Sequence, residues 1–366
     1  MRATDVVERR DASGDAALAS LAGAELGGSV SFAVSPRDAV LYALSVGAGQ
    51  QPAFAGAVDL RRVAAQRMRR QRVAGLTVPS VSEPPPALFA HLPRFVYEGH
   101  PRFSVMPMLA CTFPFCGAAS PVGELARRAG VVFDPAQLVH GEHEVTLHTP
   151  LSADLLTRGA LVNTTRCTDV ADRGSGALVR LETMTTDAAG RPVATNTMGV
   201  FIRGLGGFTQ SRGATHSGST AGQAMALPSM PPPDAVLEYR TPPHAAALYR
   251  LTGDLNPLHI DPTFAQRGGF GAPILHGLCT LGTAVRCILA HASDAGHGPV
   301  SATAVKCRFT GPVVPGQMLH IRLWYSPKGA PHPSARFAVT ADGRPAIDGG
   351  VVQLLRDGGT AAAARL

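Results

Sequence analysis

The chain has 366 residues, of which 45% are hydrophobic and 16% charged, and a formal net charge of +7. That length holds two domains or one large one, and the balance is that of a globular protein, not a disordered or fibrous one. The positive charge suits an anionic ligand, nucleic acid or an anionic surface; a solvated basic face is the plainer reading, and no basic stretch interleaved with aromatics points to nucleic acid.

Residues 1–31 open with acids among Met-Arg-Ala-Thr-Asp-Val-Val-Glu and no apolar run follows, unlike a secretory signal; they read as a variable segment. A helix is expected over 36–45. Residues 51–92 carry Arg61, Arg62, Arg67, Arg69, Arg70 and Arg72, then Pro84-Pro85-Pro86. They read as an insertion, helical over 58–74 and looped after it. A solvated surface helix is the simpler account, with binding of anionic lipid or a partner as the alternative. Strands are expected at 145–151, 160–166, 177–185 and 193–203. Gly204-Leu205-Gly206-Gly207 lacks the strand and helix of a nucleotide loop and reads as a turn. Residues 210–237, rich in Ser, Gly, Thr and Pro, read as a linker. Helices follow at 243–250 and 276–292, and strands at 302–309, 318–325 and 336–340.

In the last helix Leu278, Leu281, Val285, Ile288 and Leu289 recur at helical spacing. The longest apolar run, 274–292, contains His276, Arg286 and His291 and is no membrane span. Cysteines 111, 116, 167, 279, 287 and 307 form no CxxC pair; they read as free thiols in a reducing compartment rather than as a zinc site.

The chain is internally duplicated. Leu41-Tyr42-Ala43-Leu44-Ser45 parallels Leu248-Tyr249-Arg250-Leu251-Thr252. Pro107-Met108-Leu109 parallels Pro273-Ile274-Leu275, and Leu147-His148-Thr149-Pro150-Leu151 parallels Phe309-Thr310-Gly311-Pro312-Val313. The pairs keep their order, so two copies of one unit are expected, each a long central helix with a strongly β remainder. On the tyrosine register Gly47 falls where Asp254 stands, so the first copy lacks the acid.

Chemistry concentrates in the second copy. Gly253-Asp254-Leu255-Asn256-Pro257-Leu258-His259 places an acid, an amide and an imidazole within six residues on a turn, shortly before Pro273-Ile274-Leu275-His276-Gly277 opens a helix. A carboxylate can take a proton from water, an imidazole can share or relay it, and an amide can hold the water. The Gly277 N–H, near a helix N-terminus, can meet a developing oxyanion. On the residues alone, Asp254 and Asn256 also suit a turn and His259 a core position. Asp261 before Pro262 reads as a cap, and His276 as a residue that orients the helix start or touches ligand.

This segment resembles the hydratase signature of the MaoC-like group, most closely the type 2 enoyl-CoA hydratases. The likeness continues through Ser35-Pro36-Arg37-Asp38, Phe95-Val96-Tyr97-Glu98-Gly99, Leu138-Val139-His140-Gly141-Glu142, Phe201-Ile202-Arg203-Gly204 and Arg308-Phe309-Thr310-Gly311-Pro312. The resemblance implies an α+β double hot-dog. A degenerate N-terminal hot-dog over 32–209 would shape the acyl pocket and a C-terminal one over 238–356 would carry the chemistry, with 357–366 a flexible tail. It implies catalysis by Asp254, Asn256, His259 and Gly277, and substrate contacts at His140, Gly141, Arg173 and Phe309. Arg173 stands where the family has a lysine. The implied reaction is reversible hydration of trans-2-enoyl-CoA to (3R)-3-hydroxyacyl-CoA, with no metal or cofactor beyond the CoA of the substrate. Other readings stay open: a specialised branched or steroid-derived acyl-CoA as substrate, a thioesterase, or a non-catalytic acyl-CoA-binding subunit. A homodimer is expected. Ala364-Arg365-Leu366 resembles a peroxisomal import address; in a bacterial host it would carry no meaning and the protein would be cytoplasmic.

Overall fold

The computed structural model describes residues 17–48, 53–54, 93–117, 121–208, 231–294, 300–327 and 330–356. The helix expected over 58–74, most of the linker and the C-terminal tail lie outside them. The strands are β1 (Glu25–Phe32), β2 (Ala53–Phe54), β3 (Leu138–Leu147), β4 (Leu161–Asp172), β5 (Gly176–Thr186), β6 (Pro192–Arg203), β7 (Ala235–Arg240), β8 (Val300–Phe309), β9 (Met318–Tyr325), β10 (Ser334–Ala341) and β11 (Arg344–Arg356). Helices are α1 (Pro36–Ser45), α2 (Pro93–Val96), α3 (Pro121–Ala129), α4 (Ala153–Thr157), α5 (Ala245–Tyr249), α6 (Pro262–Arg267) and α7 (Gly277–Ala292). No helix among the described residues is long and apolar enough to cross a membrane.

The strands form one 11-stranded sheet in the order β1-β4-β5-β6-β3-β8-β11-β10-β9-β7-β2. The duplication is visible in that order. From β1 to β3, and from β7 to β8 read inward, the strands run first, third, fourth, fifth, second in chain order. The halves meet where β3 pairs antiparallel with β8. On the register that matches Leu147 with Phe309, Glu144 matches Lys306, and these two are cross-strand partners. A pseudo-twofold axis therefore passes through an acid–base pair. The fold is a double hot-dog.

Alternation sets the strand faces. Leu319, Ile321 and Leu323 of β9 are buried, while His320 and Arg322 between them point outward. In the C-terminal half α7 is the wrapped helix, buried on nearly all sides. At Gly282 a Cβ would overlap the Tyr42 hydroxyl, so glycine lets α1 close on α7.

The two copies differ at their centres. The expected long helix is absent from the described part of the first copy; a nine-residue 3-10 segment, Pro107–Phe115, replaces it. Pro114 inside this segment supplies no N–H, and its ring would clash with the preceding turn of an α-helix. Two buried asparagines satisfy carbonyls left over by the irregular backbone: Asn163 Nδ2 donates to Phe113 O at 2.6 Å and Asn196 Nδ2 to Ala110 O at 3.0 Å.

Three expected boundaries move. The first copy reaches back to Glu25, because β1 pairs with β4. The second begins at Ala235, inside the expected linker. Ala53–Phe54, inside the expected insertion, pairs with β7 at the sheet edge. The six cysteines are all free thiols.

Candidate active site

After α5 the chain makes a 3-10 turn, Arg250–Thr252, and reverses at Gly253 with φ 138°, a conformation closed to side chains. This reversal delivers Asp254 to the cavity wall. The loop then braces itself. The Asn256 N–H donates to Asp254 Oδ1 at 3.2 Å, and the Leu258 N–H donates to Asn256 Oδ1 at 3.0 Å, capping the 3-10 turn Pro257–His259. The turn carries His259 inward, where it is 8% exposed. Asp261 caps α6, accepting from Thr263 N at 2.8 Å.

His259 Nδ1 lies 2.8 Å from the carbonyl of Ile274. A carbonyl only accepts, so Nδ1 carries the hydrogen and Nε2 presents a lone pair. Burial lowers the His259 pKa, opposed by the Asp254 charge and the Ile274 carbonyl. By the same reasoning His276 Nε2 donates to the Asp254 carbonyl at 3.1 Å. Its ring stacks on His259 with centroids 3.6 Å apart at 26°. His276 is 2% exposed, and burial pulls its pKa down to about 2. Its Nδ1 is buried without a partner.

Gly277 opens α7, and no side chain caps that helix. Its N–H belongs to the first turn, whose donors have no intrahelical carbonyl. The Phe309 ring closes one side: a Cβ at Gly277 would sit 3.0 Å from it. His140 meets Phe309 edge-on at 5.1 Å. A bulge where β3 shifts register between His140 and Glu142 contains Gly141 and aims His140 into the cavity. His140 Nε2 donates to Glu142 O at 3.1 Å, and burial lowers its pKa to about 4.

These groups border one cavity of about 800 Å³. Asp254, Asn256, His259, Gly277, His140 and Phe309 all line it; Gly141 and Arg173, the latter on the exposed turn after β4, are outside the lining. The first copy adds a mostly apolar part of the lining, with Phe115, Val122, Phe133, Leu138, Met198 and Val200, and one cation, Arg203. Sequence reasoning quoted Leu138 only within a matched segment and did not single out the other five apolar residues, since each reads as an ordinary core residue. A short 3-10 segment and α3, not a long helix, pack on the first half of the sheet, and Phe115 and Val122 from them line the cavity.

Asp254, His259 and His276 offer ligand atoms within 4.8 Å of one another. Each imidazole has one nitrogen facing a backbone carbonyl, Ile274 O for His259 and Asp254 O for His276, and so keeps one lone pair free.

Residues 228–340 match the model of the MaoC like domain, and residues 90–204 that of the MFE-2 hydratase 2 N-terminal domain. A Dictyostelium discoideum protein named "Probable enoyl-CoA hydratase 2" is 38% identical over 233 residues, 63% of this chain and 74% of its own length. The chain belongs to the MaoC-like hydratase 2 family. Within that family, "Enoyl-CoA hydratase 2, peroxisomal" of Arabidopsis thaliana is 35% identical over 237 residues, covering 63% of this chain and 73% of that one. A solved MaoC-like dehydratase from Phytophthora capsici superposes with TM-score 0.61 at 28% identity, covering 91% of this chain and 96% of that one. The full-length peroxisomal multifunctional enzyme type 2 of Drosophila melanogaster gives TM-score 0.58 at 30% identity, covering 89% of this chain. This chain spans 48% of that enzyme, so it corresponds to a part of the larger protein.

Proposed function

We infer that the protein catalyses reversible hydration of trans-2-enoyl-CoA to (3R)-3-hydroxyacyl-CoA in fatty-acid β-oxidation. One observation carries this: Asp254, the His259 ring and the start of α7 at Gly277 line one cavity together with apolar side chains of the first copy. These apolar side chains suit an acyl chain. The Gly277 N–H suits the thioester oxygen as it gains enolate charge. Two acceptors, the Asp254 carboxylate and His259 Nε2, suit a water molecule above C3, with the Asn256 amide to orient it.

Asp254 is the base in the hydration direction. As the water oxygen bonds to C3, one water proton leaves to Asp254 and the π electrons shift toward C2 and the thioester. The proton returns to C2, directly or through His259, so the added hydroxyl and the added hydrogen both come from water. The reaction needs no metal or redox cofactor, and CoA enters as part of the substrate. The cavity, about 800 Å³, lies within the ~300–1,000 Å³ that takes a drug-sized ligand. Peroxisomal location belongs to the same reading, supported by the names of the Arabidopsis and Drosophila relatives.

The test is purified protein with short- and long-chain trans-2-enoyl-CoA, following loss of the conjugated thioester absorbance and resolving product chirality. An R-product supports the reading. Release of free CoA thiol, or no turnover, overturns it in favour of a thioesterase or a binding subunit.

A further inference from the structure

We propose that His276 is a positioning residue that holds Asp254, His259 and Gly277 in one arrangement. The proposal deepens the hydratase reading and rests on it for its kinetic test.

The argument is geometric. His276 touches each of the three groups by a different means. Its ring lies flat on His259, 3.6 Å between centroids, and so fixes the plane in which His259 Nε2 points. Its Nε2–H donates to the Asp254 main-chain carbonyl at 3.1 Å. It is itself the residue before Gly277, at the N-cap position of α7. A shift of His276 therefore moves an acid, a base and an oxyanion donor together. Misplacements of about 1 Å in such groups lose rate by orders of magnitude.

Its own environment is built to keep it still. Tyr249 packs on it with ring centroids 4.9 Å apart, and Tyr249 is in turn packed edge-on against Tyr42 at 6.1 Å. The titratable groups facing it are Arg250, His259, Tyr249 and the Asp254 carboxylate, and burial, with His259 and Arg250, keeps its ring neutral. A neutral ring stacks without repelling His259 and retains a single tautomer. Its Nδ1 is buried and bare, which costs stability. Phenylalanine or leucine would fill the space without that penalty. The feature that a packing role does not explain is the hydrogen bond to Asp254 combined with the stack on His259.

The test uses full-length protein and three variants. His276→Phe keeps the stack and loses the donor. His276→Gln keeps a donor and loses the stack. His276→Ala loses both. With trans-2-enoyl-CoA, His276→Ala is expected to lower kcat at least thirtyfold with KM changed less than threefold, and Phe and Gln to fall between it and the wild type. The acid limb of kcat moves to higher pH in His276→Ala, because water reaches the His259 face, and stays in place in His276→Phe. In parallel, imidazole NMR of His259 without substrate should show its pKa raised in His276→Ala and held in His276→Phe. The NMR readout stands whether or not enoyl-CoA is the substrate, so a failure of the hydratase reading is distinguishable. Unchanged kcat in folded His276→Ala, or an unmoved His259 titration, overturns the proposal. Loss of Tm with kcat and KM falling together in all three variants overturns it in favour of a packing role.

Discussion

The hydroxyl of Tyr239 stands where a Cβ on Gly47 would have to be. Gly47 is the position that duplicates onto Asp254, and its φ is +82°. The first copy is thus closed to an acid twice, by backbone conformation and by a side chain contributed from β7 of the second copy. Arg286 lies over the Tyr239 ring at 5.0 Å and holds it there. Gly47→Ala is expected to cost about 2–4 kcal/mol, from the left-handed backbone and the overlap together. Urea unfolding measures this. The Tyr239 hydroxyl has no partner, so Tyr239→Phe alone should be near neutral, and the double variant should recover part of the loss. Equal loss with and without the hydroxyl would place the cause in the backbone conformation or in the ring carbon, 2.6 Å from that Cβ, and not in the hydroxyl.

Asp254→Asn preserves the acceptor for the Asn256 N–H and removes the base. Turnover is expected to fall about 10²–10⁴-fold, with the Tm within a few degrees of the wild type. His259→Ala should lose turnover comparably. The wild-type R-product assay run beside these variants decides the matter: activity retained in both would move the chemistry away from this loop.

What was legible in the sequence follows from how local each signal is. Strands such as β9 and the helix α7 were readable because alternation and helical spacing are written into contiguous residues. The catalytic loop was readable because Asp254, Asn256 and His259 lie within six positions. The centre of the first copy was misread, because duplication implied a helix and Pro114 prevents one. The acyl wall was unreadable for a different reason: Phe115, Val122, Phe133, Met198 and Val200 come from separate elements, and only the fold makes them neighbours. His276 stood in plain view, but its stack on His259 is a contact between positions seventeen apart, and no spacing rule announces it.

Val122 lies on α3 with its side chain on the cavity wall. Val122→Phe should shorten the acyl pocket. Each methylene excluded forfeits about 0.8 kcal/mol of burial, so kcat/KM for a long-chain enoyl-CoA should drop tenfold or more. A four-carbon substrate, which does not reach that wall, should change less than threefold and serves as the control for folding. Equal losses on both substrates would place the acyl chain elsewhere.

Acid should weaken the fold earlier than its carboxylates alone would. Burial lowers the pKa values of His140 to about 4 and His276 to about 2, and lowers that of His143 as well. An unfolded histidine titrates near 6.5. Above that pH both states are neutral and these groups contribute no pH dependence. Below it the unfolded chain binds protons that the folded chain refuses, so stability falls by about 1.4 kcal/mol per pH unit for each such histidine. For His140 the fall continues to about pH 4, and for His276 to about pH 2. Chemical denaturation at intervals from pH 8 to 5 should show a plateau, then a decline beginning near 6.5. His143→Gln should remove one histidine's share of the slope, because its amide can still meet Asn196. A flat profile down to pH 5 would mean that these rings take up protons in the folded state as readily as in the unfolded one.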